Sequence, residues 1–508
     1  MALLSLAHFS TALFTLVIGY RVYWEATTGA TRRKIKQKYG CQPPKRWWSW
    51  DPILGFDWVI GNFKAYSQHK LLEYWTSILR QSNAHTVSLY VVGKTIFLTN
   101  DPENIKTILA TDFSIWSLGK PRMEQMTAYV GRGIFTNEGT AWKHSRELLR
   151  PSFNRSQVSD FHIFEKHTAR MIERIPKDGA TVELEPLFHL LTLAISTEFL
   201  FGRSTSALDD ARKNEEVEQF IDAFEYCQNP FENANTRKWG WRGALLPDLR
   251  QKKCAKIIED IDEEVTLKRT QTSGNHETER YVFLEELLAV TDDRTQIRSE
   301  LLNILSAGRG TTACLLTNFF FELPRHSQIL ARLRMEIKDS VGVNPPTYEQ
   351  VKELKYLKAV VNETQRLYPV GPINTREALQ DTIIPHGGGP SCTNPVLVPK
   401  GAYVAYNTYA MQRRKDIFGP DAESFNPSRW LENEHPSSPL RPGWAYLPFS
   451  GGPRVCLGQQ FALTEASCII VRLLQAFQEV ESRDEEPWRE KLTIVCSSLG
   501  GCKVGFRQ

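Results

Sequence analysis

The sequence predicts a mainly α-helical fold, in which one large domain carries small β-sheets and follows an N-terminal transmembrane helix. Residues 101–340 are mostly helical in pattern, and the strand-like segments are short. No linker divides the chain after residue 50. Of the 508 residues, 41% are hydrophobic and 24% are charged, which is typical of a globular protein and argues against a disordered or multi-span membrane chain.

The first twenty residues predict a membrane anchor. Met1 to Tyr20 contain no Asp, Glu, Lys or Arg, and a helix needs about 20 apolar residues to cross a bilayer. Arg21 and the basic residues of 32–38 follow, so the positive-inside rule places the rest of the chain in the cytoplasm. We therefore expect an anchor over 1–20, a basic, Pro-rich hinge over 21–44 and the main domain over 45–508. A cleaved signal peptide is the alternative, although the sequence shows no basic n-region and no A-x-A-like cleavage site.

The other elements follow in chain order. Two short strands are predicted around Gly93-Lys94 within 85–100, a helix after Asp101-Pro102, a long helix from Arg298 to Leu323, and further strands within 381–405 and 491–507. Loops at 228–248 and 268–280 interrupt the helical pattern. In the first loop, the segment from Trp239 to Pro247 has two Trp residues beside basic residues, which predicts either a contact with the membrane surface or a loop packed on the domain.

Net charge and cysteine usage argue against several functional classes. The 62 Lys+Arg and 58 Asp+Glu residues give a net charge of +4, which does not support nucleic acid as a partner. The nine Cys residues are odd in number and no two form a CxxC pair, which argues against a disulfide framework and a zinc ribbon. We interpret eight of them as small buried hydrophobes.

The ninth, Cys456, lies in the most informative segment, which runs from Phe449 to Gly458. Glycines crowd its N-terminal side, where they allow tight turns and a close approach of the backbone to a flat ligand. A helical run begins after Cys456, and a helix start favours the thiolate form of a cysteine. A thiolate held in this way can be the axial ligand of haem iron, and Arg454 can pair with a haem propionate.

This segment matches the FxxGxRxCxG signature at all five fixed positions and resembles the cytochrome P450 superfamily of haem-thiolate enzymes. The resemblance extends over roughly residues 45–508. Glu363 and Arg366 match the ExxR pair, and Arg429 matches the arginine of the PxRx element. In the family these three side chains form a buried network that stabilises the haem side of the fold, so their implied role is structural.

The same resemblance implies further haem contacts. Trp142 and Arg146 match a WxxxR motif whose residues lie one turn apart and reach a propionate. Arg376, beyond the ExxR helix, lies where the family often places another propionate partner. Together with Phe449, Arg454, Cys456 and Gly458, these residues are the expected haem-binding set.

Residues 307–312 resemble the oxygen-binding motif of the long central helix, with one departure. Thr311 is expected to help deliver protons to dioxygen. The acidic residue that usually precedes this threonine is missing, and Gly310 occupies its position. Three readings remain open. In the first, water, Arg309 or Glu322 supports another proton path to Thr311. In the second, oxygen activation is slow. In the third, the enzyme uses a chemistry that needs no oxygen activation.

The resemblance implies a membrane-anchored monooxygenase that inserts one oxygen atom from O₂ into a C–H bond of an apolar substrate. Cys456 would be the axial ligand of haem b, and NADPH would supply electrons through a separate cytochrome P450 reductase in the endoplasmic reticulum membrane. Closer features, such as Gly387-Gly388-Gly389-Pro390, resemble the fungal branch that hydroxylates n-alkanes and fatty acids, which shares them with enzymes of secondary metabolism. The pocket is expected at 114–130, Ile304, Ala307, 370–374 and 497–499. The alternatives are a haem-thiolate isomerase or dehydratase that does not use O₂, and a haem-binding protein without catalysis.

Overall fold

The computed structural model describes residues 2–52, 54–154, 161–204, 208, 215–229, 249–250, 252–253, 255–256, 258, 282–435 and 439–508. The segment from Trp239 to Pro247 lies outside these residues. So do most of the loop expected at 228–248 and all of the loop expected at 268–280. The chain forms two compact units, one of residues 1–60, 76–117 and 375–406, the other of 61–75, 118–374 and 407–508. The segments of the two units alternate along the chain, which explains why the sequence contains no linker between them.

Helices supply most of the described structure, as predicted. In chain order they are α1 (Ala2–Trp24), α2 (Ala30–Tyr39), α3 (Phe56–Ser67), α4 (Leu71–Gln81), α5 (Pro102–Lys106), α6 (Lys120–Val130), α7 (Gly139–Leu149), α8 (Phe161–Glu173), α9 (Leu184–Phe201), α10 (Glu215–Gln228), α11 (Phe283–Val290), α12 (Arg294–Glu322), α13 (Ser327–Ser340), α14 (Tyr348–Glu353), α15 (Lys355–Leu367), α16 (Thr408–Met411), α17 (Lys415–Phe418) and α18 (Gln459–Ala476). The long helix predicted from Arg298 to Leu323 is α12.

The strands are short and form small sheets. They are β1 (Lys45–Arg46), β2 (Thr86–Val91), β3 (Lys94–Thr99), β4 (Trp116–Ser117), β5 (Asp178–Glu183), β6 (Ile373–Ala378), β7 (Thr382–Gly388), β8 (Asn394–Val398), β9 (Tyr403–Asn407), β10 (Glu479–Ser482), β11 (Glu490–Leu492), β12 (Cys496–Ser498) and β13 (Lys503–Arg507). The sheets have the orders β1-β2-β3-β9-β6-β4, β10-β13-β5, β11-β12 and β7-β8. The hairpin predicted around Gly93 is confirmed, since β2 pairs antiparallel with β3.

A continuous helical rod begins the first unit. α1 passes through a π-helical turn, Glu25–Gly29, into α2, and the residues that flank the turn keep right-handed helical dihedral angles. Gly40, at φ 65°, ends the rod in the left-handed conformation that glycine adopts readily. The segment expected to be a hinge over 21–44 is therefore largely helical. Beyond it, Gln42 N donates to Pro395 O at 2.9 Å, which attaches the end of the segment to β8.

The second unit is built around α12, which is buried along most of its length. α9 packs against α12 and α18, and the ring centroids are 5.8 Å apart in the pair Phe188–Phe320 and 4.9 Å apart in Phe199–Phe461. Leu184–Phe201 is long and apolar enough to cross a bilayer, but 78% of it is buried inside the protein. α9 is therefore a core helix, and its role is to hold α12 in place.

Candidate functional site

The segment around Cys456 forms a closed loop before α18. A 3₁₀ turn at Gly452–Arg454 leads into Val455 and Cys456, and α18 begins three residues after the cysteine. The backbone N–H of Cys456 donates to Phe449 O at 3.0 Å. Phe449 therefore contributes a backbone contact that holds the two ends of the loop together and fixes Cys456 at its C-terminal end.

Two glycines in this loop are required by its geometry. Gly452 has φ 67°, in the left-handed region that other residues rarely adopt. A Cβ on Gly451 would lie 2.5 Å from the Trp444 ring, so no side chain fits there without displacing the indole. Gly458 differs from both, because a Cβ there would meet Phe153 at 3.6 Å, an ordinary van der Waals contact.

The Cys456 thiol is solvent-accessible, yet protein packed around it withdraws water from the sulfur. This burial raises the pKa of the Cys456 thiol, while a hydrogen bond from the Gly458 backbone N–H and the charge of Arg146 act in the lowering direction. The helix start thus favours the thiolate as expected, but in the protein alone desolvation outweighs it and the net shift of the Cys456 pKa is upward. A bound metal ion would reverse the balance, since a coordinating thiol is deprotonated outright.

Trp142 and two arginines lie beside this thiol. The Arg454 guanidinium carbon is 4.6 Å from the Trp142 ring centroid and the Arg146 carbon is 5.9 Å from it. Arg146 Nη1 also donates to Val455 O at 2.9 Å, and Arg454 Nη2 to Asn137 O at 2.9 Å. These hydrogen bonds go to neutral carbonyl groups, and a guanidinium group is a suitable partner for a carboxylate of a planar ligand.

The structure therefore brings Trp142, Arg146, Arg454 and Cys456 together in the second unit. Arg376 belongs to the first unit, where it is buried on β6. Its Nη1 donates to Thr375 O at 2.7 Å and its guanidinium carbon lies 5.8 Å from the Tyr406 ring centroid. Its predicted contact with a propionate stays a prediction.

The chemistry of the donor set fits haem. Across the described ranges no group of three or more His, Cys, Asp and Glu side chains is placed to hold a metal ion. An iron held by Cys456 must therefore bring its remaining ligands with it, as haem iron does with its porphyrin. An accessible thiol next to two guanidinium groups provides what such a group needs, an axial ligand and partners for its carboxylates.

A polar clasp on α12, which the sequence analysis missed, fixes the loop that carries these contacts. Asn303 Oδ1 accepts from Phe135 N at 3.0 Å, and Glu300 Oε2 accepts from Ile134 N at 3.3 Å. Arg454 Nη1 in turn donates to Ile134 O at 3.3 Å. Burial raises the pKa of Glu300 to about 7. The available signal was the three-residue spacing of Glu300 and Asn303, which places both side chains on one face of the predicted helix.

One face of α12 is more accessible than the rest. Ile304, Ala307 and Thr311 are half-buried and follow the spacing of one helix face, whereas most of the helix is buried. Thr311 Oγ1 donates to Ala307 O at 2.7 Å, so its oxygen remains able to accept a hydrogen bond. A Cβ on Gly310 would meet only Val495, at 3.9 Å, so this position has room for a side chain.

The two charged residues considered as substitutes for the missing acid are engaged elsewhere. Arg309 is buried and pairs with Glu225, with Nη2 and Oε1 2.7 Å apart. Glu322 accepts from Tyr368 Oη at 2.5 Å and lies 3.0 Å from His326 Nε2. Both side chains therefore have partners other than Thr311.

A second buried carboxyl, Glu465 on α18, connects the cysteine helix to α12. It accepts a hydrogen bond from the Thr312 side chain, and burial raises the pKa of Glu465 to about 8. Its Oε1 has no hydrogen-bond partner within the described part of the chain. Glu465 is therefore protonated at neutral pH, and it was not singled out from the sequence.

The ExxR network is formed as the resemblance implied. Glu363 accepts from Arg366 Nε at 2.9 Å and from Arg429 Nε at 3.0 Å, and all three side chains are fully buried. The structure adds two members. Trp430 Nε1 donates to Glu363 at 2.9 Å, and Asp421 pairs with Arg429 at 2.9 Å. A second carboxylate thus balances the second buried guanidinium.

Comparison with known proteins gives matches over nearly the whole chain. The family model for Cytochrome P450 matches residues 53–500. Cytochrome P450 monooxygenase himC of Aspergillus japonicus is 41% identical over 99% of this chain and 90% of that protein. Cytochrome P450 monooxygenase fsdH of Fusarium heterosporum is 36% identical over 98% of this chain and 89% of that protein. Cytochrome P450 52E1 of Candida apicola is 41% identical over 92% of this chain and 93% of that protein. The matched range includes every predicted site residue.

Proposed function

Because this chain belongs to the cytochrome P450 family, we propose that it is a membrane-anchored haem-thiolate monooxygenase that inserts one oxygen atom from O₂ into a C–H bond of an apolar substrate. The observation that carries the proposal is the accessible Cys456 thiol beside Trp142, Arg146 and Arg454. The relatives named as monooxygenases support the same reaction class.

The residues around Cys456 divide the work of holding haem b. Cys456 would be the axial ligand, and Arg146 and Arg454 would pair with the two propionates, with Trp142 keeping both guanidinium groups in place. The Phe449 carbonyl would hold the loop by accepting from Cys456 N, the Gly458 backbone N–H would donate to the sulfur, and Arg376 would add a further propionate contact. Haem bound in this way supplies the redox chemistry that activates dioxygen. NADPH, through a separate cytochrome P450 reductase, is the proposed source of the electrons.

Proton delivery would depend on Thr311 and water. The Thr311 oxygen can accept a hydrogen bond from a water molecule while its own hydrogen bond to Ala307 O holds the side chain in position. Since Gly310 offers no carboxylate but leaves room beside it, water there is the proposed immediate source of the proton.

The proposed substrate is lipophilic, an alkane, a fatty acid or a secondary metabolite. Ile304 and Ala307 lie on the accessible face of α12 and support the expected pocket. Near it, Arg122 Nη1 donates to Asn374 Oδ1 at 2.6 Å, which links two of the segments expected to line it. An apolar substrate would bind mainly by burying its surface, at roughly 25 cal/mol per Å².

The N-terminal helix supports membrane anchoring. α1 has 23 residues and is therefore about 35 Å long, enough to cross a hydrocarbon core of about 30 Å. Phe9, Leu13, Phe14 and Leu16 are all more than half exposed on it, which leaves apolar surface for lipid. We propose a single-pass anchor over 1–20 in the endoplasmic reticulum membrane, a connecting segment over 21–44, and a cytoplasmic haem-thiolate domain over 45–508.

The test is the absorption spectrum of the reduced, carbon-monoxide-treated protein, measured together with turnover. The wild type should show the red-shifted absorption typical of thiolate ligation and should consume NADPH and O₂ with a reductase. Cys456→Ala should lose both, whereas Cys392→Ala, a matched change at a half-buried cysteine, should keep both. A Cys456→Ala protein that retains the band or the turnover would refute the proposal.

Gly310 favours one alternative function, an isomerase or dehydratase that uses a haem thiolate without O₂. Such an enzyme needs no proton path to dioxygen, so the absence of an acidic residue at 310 would not reduce its activity. Product formation from a peroxide or other oxygenated substrate without NADPH and O₂ would establish it. Product formation that strictly requires both would exclude it.

A further inference from the structure

A groove of about 430 Å³ lies in the first unit beside the helical rod. We call it the cationic groove, and its lining includes Arg21, Trp24, Glu25, Arg32, Arg33 and Lys36. These residues come from the end of α1, the π-helical turn and α2. The groove therefore begins where the proposed membrane helix ends.

Positive charge in the groove exceeds negative charge. Arg21 and Arg33 share the single carboxylate of Glu25, and the Arg21–Glu25 distance is 2.8 Å. Arg32 is neutralised separately by two 2.9 Å hydrogen bonds to Asp381. Lys36 is exposed and forms no ion pair with a described residue. Two cations around one acid, together with a free ammonium group, leave a deficit of negative charge that an anion would satisfy.

Part of the groove wall is packed around Trp24, although the side chains of Arg21 and Arg33 remain largely exposed. The guanidinium carbons of Arg21 and Arg32 lie 5.0 Å and 5.9 Å from the Trp24 ring centroid. Gly29 is buried against that ring, and a Cβ on it would lie 3.0 Å from the indole. Phe97 and Leu397 add apolar lining. The groove thus offers cations for a charged group and apolar surface for what is attached to it.

We propose that the cationic groove binds the headgroup of an anionic phospholipid, with its phosphate against Arg33 and Lys36. This inference rests on the membrane anchoring proposed above, because α1 brings the groove to the lipid headgroups on the cytoplasmic side. A basic site just beyond a transmembrane helix suits anionic lipid, and an indole prefers the same depth. The bound lipid would fix the rod at the membrane surface.

The experiment uses the full-length holoprotein in phosphatidylcholine vesicles with a trace of spin-labelled lipid. Electron paramagnetic resonance reports the fraction of labelled lipid immobilised by the protein, for phosphatidic acid and for phosphatidylcholine. Each cation near a membrane surface changes binding of an anionic lipid about fivefold. We expect the wild type to prefer phosphatidic acid by about fivefold or more, and the double variant Arg33→Gln/Lys36→Gln to lose most of that preference.

The matched control is Lys34→Gln/Lys38→Gln, which removes the same charge from α2 at residues that do not line the groove. It should keep most of the preference for phosphatidic acid, because neither side chain lies against the proposed phosphate. Equal losses in the two double variants would show diffuse attraction and overturn the inference. The carbon-monoxide spectrum of each variant verifies that its fold is intact.

Two further outcomes would also overturn the proposal that the cationic groove binds an anionic phospholipid. If inorganic phosphate at matched ionic strength abolishes the preference, the groove binds a soluble anion. If the groove variant keeps the lipid preference but binds the reductase more weakly, the groove is a protein contact. Retention in pure phosphatidylcholine vesicles after an alkaline wash separates the two proposals. If the protein is retained but shows no lipid preference, the proposal of lipid binding in the cationic groove is refuted and the proposed anchor is not. If the protein is released, both proposals are refuted.

Discussion

Replacing Glu465 by Gln is expected to stabilise the protein at neutral pH. Glu465 is buried on α18 and accepts a hydrogen bond from Thr312. Burial raises the pKa of Glu465 from 4.5 to about 8, so the folded protein keeps a proton that the unfolded chain releases above pH 4.5. Gln has a similar shape, can accept the same hydrogen bond and needs no proton.

The magnitude follows from the pKa difference. The stability due to a raised pKa is fully present below pH 4.5 and is lost as the pH rises towards 8. Each pH unit in that window costs about 1.4 kcal/mol. By pH 7 the wild type should therefore be less stable than Glu465→Gln by about 3 kcal/mol, and the two should converge near pH 4.5.

The assay is denaturant unfolding of the holoprotein at several pH values between about 5 and 8. Glu432→Gln, at an exposed position, controls for the loss of one carboxylate and should parallel the wild type. If the wild type and Glu465→Gln lose stability in parallel over this range, Glu465 is not a protonated buried acid and the reasoning fails.

Three other predictions concern α12 and the buried network. Gly310→Ala should stabilise the helix by up to about 1 kcal/mol in denaturant unfolding, because its Cβ would meet only Val495 at 3.9 Å, whereas Gly308→Ala should destabilise it, because its Cβ would lie 2.6 Å from Ser196 Oγ. Equal effects would contradict the packing. Gly310→Asp should raise the fraction of NADPH electrons recovered in product, and an unchanged fraction would show that proton supply at 310 does not limit coupling. Glu363→Gln should cost about 3–5 kcal/mol in free energy of unfolding, because Asp421 would then be the one carboxylate facing the two buried guanidinium groups, and a wild-type unfolding midpoint would refute this.

Features with a local pattern could be predicted from the sequence. The β2–β3 hairpin follows from two apolar runs around Gly93, and α12 follows from a long periodic stretch. The Cys456 loop and the ExxR network could be predicted because their residues lie at fixed short spacings. The family resemblance added the prediction that these short motifs, which are far apart in the sequence, lie close together in the folded protein.

Features that depend on distant contacts could not be predicted. Glu300 and Asn303 contact loop residues more than 160 positions earlier, and no local periodicity reports such a pairing. The sign of the pKa shift at Cys456 was missed for a related reason. The helix start is visible in the sequence, but the desolvation that outweighs it comes from packing of other segments.

The unbroken rod from α1 to α2 has a geometric consequence for the membrane anchoring proposed above. A flexible tether would absorb a change in length, but a helix converts each added or deleted residue into a rotation of about 100° and a shift of about 1.5 Å. The π-helical turn at Glu25–Gly29 contains one such extra residue within the rod. Under the proposed anchoring, the residue count of this single turn would set the azimuth at which the lipid headgroups meet the protein.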